Sequence, residues 1–152
     1  MSSTDIDSDL GRARALRLHL DLARLDYLRL LRRLAETLTA VEISDRTGSS
    51  PSHVSAALAE AADIAEPVAG FSGASPYEIA QRFADGQIPR EQLVDELARW
   101  DYPLEQGTHD DFDALVVSVP GSFDEVTDAA GHGLIDGATY DEILNAAADR
   151  SS

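Results

Sequence analysis

Neither cysteine nor lysine occurs among the 152 residues, and all 12 basic side chains are arginine. Without cysteine there is no disulfide, no thiolate metal site and no thiol nucleophile. Without lysine there is no glycine-rich phosphate loop ending in the lysine that such loops use. No apolar run approaches the roughly 20 residues needed to cross a bilayer. The opening stretch "MSSTDIDSDLGRARAL" also lacks the basic-then-apolar order of a secretion signal. A cytoplasmic protein without membrane contact is expected. The four histidines (His19, His53, His109, His132) are scattered, with no pair at i+3 or i+4, and no nucleophile sits in a recognisable elbow. The chain reads as a non-enzyme without a cofactor.

What is abundant is acid. The formal net charge is -16, and it is distributed unevenly. Residues 1–60 hold 8 Arg against 9 Asp and Glu, whereas residues 61–152 hold 4 Arg against 19. A polyanion would be repelled by the second half and tolerated by the first. One segment of the second half, "EQGTHDDFD", could gather a divalent ion through His109, Asp110, Asp111 and Asp113. A flexible acidic loop is the commoner use of such a sequence, so a small metal-dependent enzyme stands only as a third alternative.

The first nine residues are polar and expected to fray. From Leu10 to about Leu38 the pattern is that of one long helix, with no proline and no glycine after Gly11. One apolar seam runs Leu16, Leu20, Ala23, Tyr27, Leu30, Leu34, and a second runs Leu18, Leu22, Leu25, Leu28 beside Leu31. That arc is wider than one packing partner needs. The helix is expected either to be buried within its own chain or to pair with a second copy as a homodimer.

A short helix from Thr39 to about Thr47 follows, ended by Gly48. Ser50 is placed as N-cap and Pro51 as first residue of the next helix, where the missing N–H costs nothing. In "ISDRTGSSPSHVSAAL", Ser44 is the small residue at the helix contact, Gly48 allows the positive φ of the turn, and Val54 is the apolar anchor, with Ile43 and Leu58 in support. Over about 22 residues this resembles the helix-turn-helix of phage-repressor-type regulators. The resemblance implies a trihelical DNA-binding module at 10–66. It also implies that Ser50, Pro51, Ser52, His53, Ser55 and Ala56 face bases, with Arg46 on phosphate. None of these is the Arg, Asn or Gln that reads a base bidentately, so direct specificity should be modest. Further phosphate contacts would come from Arg12, Arg14, Arg17, Arg24, Arg29, Arg32 and Arg33, several of which have acidic neighbours at i+3 or i+4.

"EPVAGFSGASP" reads as a linker. Beyond it, "SPYEIAQRFADGQIPREQLVDELARW" is echoed 47 positions later by "SFDEVTDAAGHGLIDGATYDEILNAA". Ile79 then matches Val126, Gly86 matches Gly133, Ile88 matches Ile135, Leu93 matches Tyr140 and Leu97 matches Leu144. Two helical hairpins, packed face to face over 74–150, are expected. They resemble short bacterial hairpins of the SHOCT type and, faintly, the small antitoxins of Fic-type toxins, without an inhibitory motif to carry over. Between them, "LVVSV" at 115–119 is β-like, either as a core segment or as an edge for another chain.

The fold expectation is therefore all-α: a long helix with a helix-turn-helix, then two hairpins. The functional expectation is a transcriptional regulator, with the autoregulating antitoxin as its specific form. Duplex DNA would bind the first module. A protein partner would meet an acidic face made of Asp85, Glu91, Asp95, Glu96, Asp124, Glu125, Asp128, Asp141 and Glu142. The alternative is an interaction adaptor that uses the same shape without DNA.

Overall fold

The computed structural model describes residues 2–103 and 121–151. Among these the chain is all-helical: α1 (Ser3–Leu34), α2 (Ala40–Thr47), α3 (Pro51–Ala61), α4 (Pro76–Ala84), α5 (Arg90–Arg99), α6 (Asp124–Gly131) and α7 (Gly137–Ser151). The β-like stretch at 115–119 and the acidic loop around His109 lie outside the described residues. The chain divides into two compact units, Met1–Glu66 and Pro67–Ser152. No helix among the described residues is long and apolar enough to cross a membrane.

In the first unit, α1 starts at Ser3 rather than near Leu10. The Ser2 side chain accepts from the Asp5 N–H, and Asp5 adds a negative charge to the first turn, where the helix dipole favours it. The helix closes at Leu34, and the segment to Leu38 continues as a turn in which the Leu38 N–H bonds the Leu34 carbonyl at 2.8 Å. Thr39 and Glu42 then form a reciprocal capping box at the start of α2. Gly48 ends α2 at φ 79°, its N–H bonding the Ser44 carbonyl at 3.0 Å. Ser50 caps α3 through the His53 N–H at 3.1 Å, and Pro51 is the first helical residue.

These caps let α3 pack on both α1 and α2. Leu28, Leu31, Ile43, Val54, Ala57 and Ala61 make the core, flanked by Tyr27, Leu34, Leu38, Ala40, Leu58 and Ile64. The two seams of α1 part company here. Leu22, Leu28 and Leu31 are buried, whereas Leu16, Leu20, Ala23 and Leu30 of the other seam are exposed.

The second unit begins before the predicted boundary at 74. Phe71 stacks edge-on against Trp100 with centroids 4.8 Å apart and lies under the Arg99 guanidinium at 4.2 Å. Ser72 donates its hydroxyl to Glu96 at 2.7 Å. The stretch read as a linker is thus largely folded onto α5, because its aromatic and hydroxyl groups find partners there.

The internal echo is a structural repeat. In the first turn the Gln87 N–H bonds the Arg82 carbonyl and Gly86 sits at φ 82°. In the second, the Leu134 N–H bonds the Ala129 carbonyl and Gly133 sits at φ 79°. Both are helix ends closed by a left-handed glycine. The hairpins pack α5 on α7 and α4 on α6, over a core of Ile79, Ala80, Leu93, Leu97, Val126, Ala129, Ile135 and Ile143. The equivalence breaks in the last helix. Ile143 is buried where Leu144 was expected, and Leu144 is exposed, while Thr139 rather than Tyr140 is fully covered. One residue of slip turns a helix by about 100°, so α7 uses the neighbouring stripe.

Candidate nucleic-acid interface

The candidate interface is built from the bend outward. Val54, Ala57 and Ala61 take the inner face of α3, with Leu58 half-buried beside them. At 3.6 residues per turn this leaves Pro51, Ser52, His53, Ser55 and Ala56 on the outer face, and all five are exposed, as is the capping Ser50. Arg46 projects from the last turn of α2 and is exposed, with no ion pair or hydrogen bond among the described residues. The start of α3 therefore combines the Ser52 backbone N–H, small hydroxyl side chains and an adjacent guanidinium, the His53 and Val54 N–H groups being taken by Ser50. That set suits a phosphate oxygen at the helix start and shallow contact with base edges.

His53 is held differently from its neighbours. Its Nε2 lies 3.3 Å from the Tyr27 hydroxyl, and the two rings stack with centroids 6.3 Å apart. The imidazole is thereby tethered to α1.

The arginines of α1 separate into two groups, a division the spacing alone did not reveal. Arg29, proposed for phosphate, is buried, and its Nε and Nη2 donate to the Ala65 carbonyl at 3.0 and 2.8 Å. Arg32 donates to the Ala61 and Ile64 carbonyls and pairs with Glu66. That hydrogen bond from Arg32 holds the Glu66 carboxyl below the usual carboxylate range. Together the two arginines close the C-terminal end of α3, where the dipole is negative and carbonyls lack partners. Arg24 pairs with Glu60, and Arg17 with Asp21 at 3.2 Å. Arg29 and Arg32 are thus structural, while Arg12, Arg14, Arg33 and Arg46 are exposed and make no ion pair among the described residues.

The acidic face loses members in the same way. Glu96 is 1% exposed; it accepts from Ser72 and from Gln92 Nε2 at 2.8 Å, so it belongs to the interior of the second unit. Glu125 is half-buried and accepts from the Tyr77 N–H at 3.2 Å and from the Gly121 N–H, locking a loop rather than facing a partner. Asp95 pairs with Arg99 and Arg150, and Glu142 with Arg90. Asp85 is half-buried and accepts from Gln87 at 2.7 Å. Glu91, Asp124, Asp128 and Asp141 are exposed. Glu91 and Asp124 occupy first turns, where acids also serve the helix dipole.

A buried ion pair escaped sequence reasoning altogether. Glu78 and Arg82 meet at 3.0 Å with both side chains almost fully covered. Gly73 approaches so closely that an added Cβ would lie 2.9 Å from Glu78. An i,i+4 acid–arginine pair usually marks a solvated face, and nothing in the local pattern signals burial. Among the described residues, no group of three or more His, Asp or Glu is arranged to hold a metal ion.

Comparison with family models, with curated proteins and with solved structures returned no match in any of the three.

Proposed function

We propose that the first unit binds duplex DNA and that the chain is a transcriptional regulator. One observation carries this reading. The outer face of α3, from Ser50 to Ala56, is exposed beside an exposed Arg46, on a bend whose turn and core residues match the spacing of a helix-turn-helix. The reading face is small and hydroxylic, so affinity would rest on phosphate contact and on the fit of the groove more than on bidentate base recognition.

In the antitoxin form of this proposal, the exposed acids Glu91, Asp124, Asp128 and Asp141 of the second unit meet a basic protein surface. Charge of this kind speeds and selects encounter.

A specific observation favours a second reading, the adaptor. The face of α3 carries no Arg, Asn or Gln, and the whole chain carries -16. Fluorescence anisotropy of the full chain against a mixed-sequence duplex pool, at two salt concentrations, separates the two. The regulator predicts an affinity that falls steeply with salt, by about 0.9 logarithmic unit per neutralised phosphate for each tenfold increase. Absence of binding at low salt would favour the adaptor.

A further inference from the structure

We infer that α1 pairs antiparallel with α1 of a second copy of this chain, about a two-fold axis at Leu18. This rests on the regulator reading only for its consequence on DNA; the pairing itself is measured without DNA.

The first half of α1 is a helix without a core of its own. From Ser3 to Asp21 every residue is exposed except the half-buried Leu18. A helical stretch of that length is marginal in water unless an amphipathic face is covered. The exposed face is apolar and regular. Ile6 is 44% exposed, Leu16 53%, Leu20 64% and Leu30 49%, and with Ala13 and Ala23 they fill six places of a heptad seam whose other two places are Asp9 and Tyr27.

The occupant follows from the seam itself. A two-fold at Leu18, within one residue of the midpoint of Ser3–Leu34, overlaps the two helices along their whole length, about 48 Å. It sets Leu16 against the partner subunit's Leu20, Ala13 against the partner subunit's Ala23, and Ile6 against the partner subunit's Leu30. These six exposed apolar seam residues of each copy are then covered by those of the other.

Charge selects the direction. On the flanks of the antiparallel pair, Arg12 faces the partner subunit's Asp26 and Asp5 faces the partner subunit's Arg33. A parallel pair instead sets Arg12 against the partner subunit's Arg17 and His19 against the partner subunit's Arg24. At the axis Arg17 approaches its own copy, with its guanidinium bonded to Asp21. The pairing also fixes a distance. Leu28, which belongs to the core that α3 shares with α1, lies about 30 Å from its counterpart along the rod at 1.5 Å per residue. Helix-turn-helix dimers read half-sites about 34 Å apart.

Sedimentation equilibrium of the full chain tests the pairing. A dimer is expected, and Leu16→Glu/Leu20→Glu should raise its dissociation constant at least about a hundredfold, since four carboxylates per dimer would be driven into the seam. Any loss of helicity should be confined to the first half of α1, because the substitutions leave the buried Leu22, Leu28 and Leu31 untouched. Direction is read by spin labels, which are unique in a cysteine-free chain. His19→Cys should give an inter-label distance under about 20 Å, and Asp7→Cys one of about 33 Å. A monomer at all concentrations, a dimer indifferent to the double substitution, or a short distance at both labels would overturn the inference. Dimerisation without DNA affinity would leave it standing and remove the regulator reading instead.

Discussion

The Ser44 hydroxyl donates to the Ser49 carbonyl at 2.5 Å, across the bend that joins α2 to α3. The position is buried and demands a small side chain, since α3 presses on α2 there. Serine meets the size limit and also satisfies a carbonyl that follows the end of α2. Ser44→Ala keeps the volume and loses the bond, so a fall in stability of about 1 kcal/mol is expected from chemical denaturation. Ser44→Leu should cost more, about 1–3 kcal/mol, through overpacking. Equal stability of the wild type and the leucine variant would show that the contact is loose.

Gly48 stands at φ 79°, and a Cβ added there would meet nothing within 4 Å. The penalty for a side chain is therefore conformational alone. Gly48→Ala should lower stability by about 1–2 kcal/mol, and Gly48→Asn by less, because asparagine tolerates left-handed backbone. Thermal unfolding of the three proteins gives the order Gly, Asn, Ala. Any other order contradicts a purely backbone cost.

The division among the arginines is testable as a contrast between stability and binding. Arg29→Met removes a buried guanidinium bonded to the Ala65 carbonyl. It leaves that acceptor unsatisfied, at an expected cost of about 1–3 kcal/mol, with little change in the salt dependence of DNA affinity at temperatures where the fold persists. Arg46→Glu, at an exposed position, should leave the melting temperature nearly unchanged and weaken DNA binding, reducing the salt slope by about one phosphate. If Arg46→Glu leaves affinity untouched, the phosphate contact lies elsewhere.

Asp136 caps α7, its Oδ1 accepting the Thr139 N–H at 2.7 Å. Hydrogen bonds from the Thr139 side chain and backbone hold its carboxyl below the usual carboxylate range. A depressed folded-state pKa contributes stability that is fully present above the unfolded value, near 3.9, and disappears as pH falls through the folded one. Asp136→Asn retains a capping oxygen but does not titrate. The stability difference between wild type and variant should therefore shift against the wild type as pH drops below about 4. Denaturation curves at several pH values check this, and a difference constant through the acid range would contradict it.

Much of the backbone plan was legible because it is written in local chemistry. Gly48, and Ser50 with Pro51, each act within a few residues of themselves, so the stop of α2 and the start of α3 could be read in order, whereas the reciprocal box of Thr39 and Glu42 was not read. The repeat was legible for the same reason, its two glycine-closed turns being local hydrogen-bond patterns. The exposed outer face of α3 followed from periodicity once Val54, Ala57 and Ala61 were recognised as core.

Side-chain assignments at long range were not legible. Charge in a sequence does not say which carboxylate is drawn inward, so the interior place of Glu96 and the loop-locking bonds of half-buried Glu125 are not readable from it. Arg29 and Arg32 were placed on a phosphate backbone while they close the far end of α3. The one-residue slip that exposes Leu144 and buries Ile143 is equally non-local, since it depends on how α7 turns against α5.

The amino-acid order alone settled where the chain bends after α2 and where the hairpins repeat, because caps, left-handed glycines and apolar periods are enforced by neighbours a few bonds away. Only the packed chain decided which of the two leucine seams of α1 is covered and which arginines and carboxylates are consumed within each unit. Those choices depend on desolvation and on partners more than 20 residues distant, as with Arg29 and Ala65, and no short-range pattern encodes them.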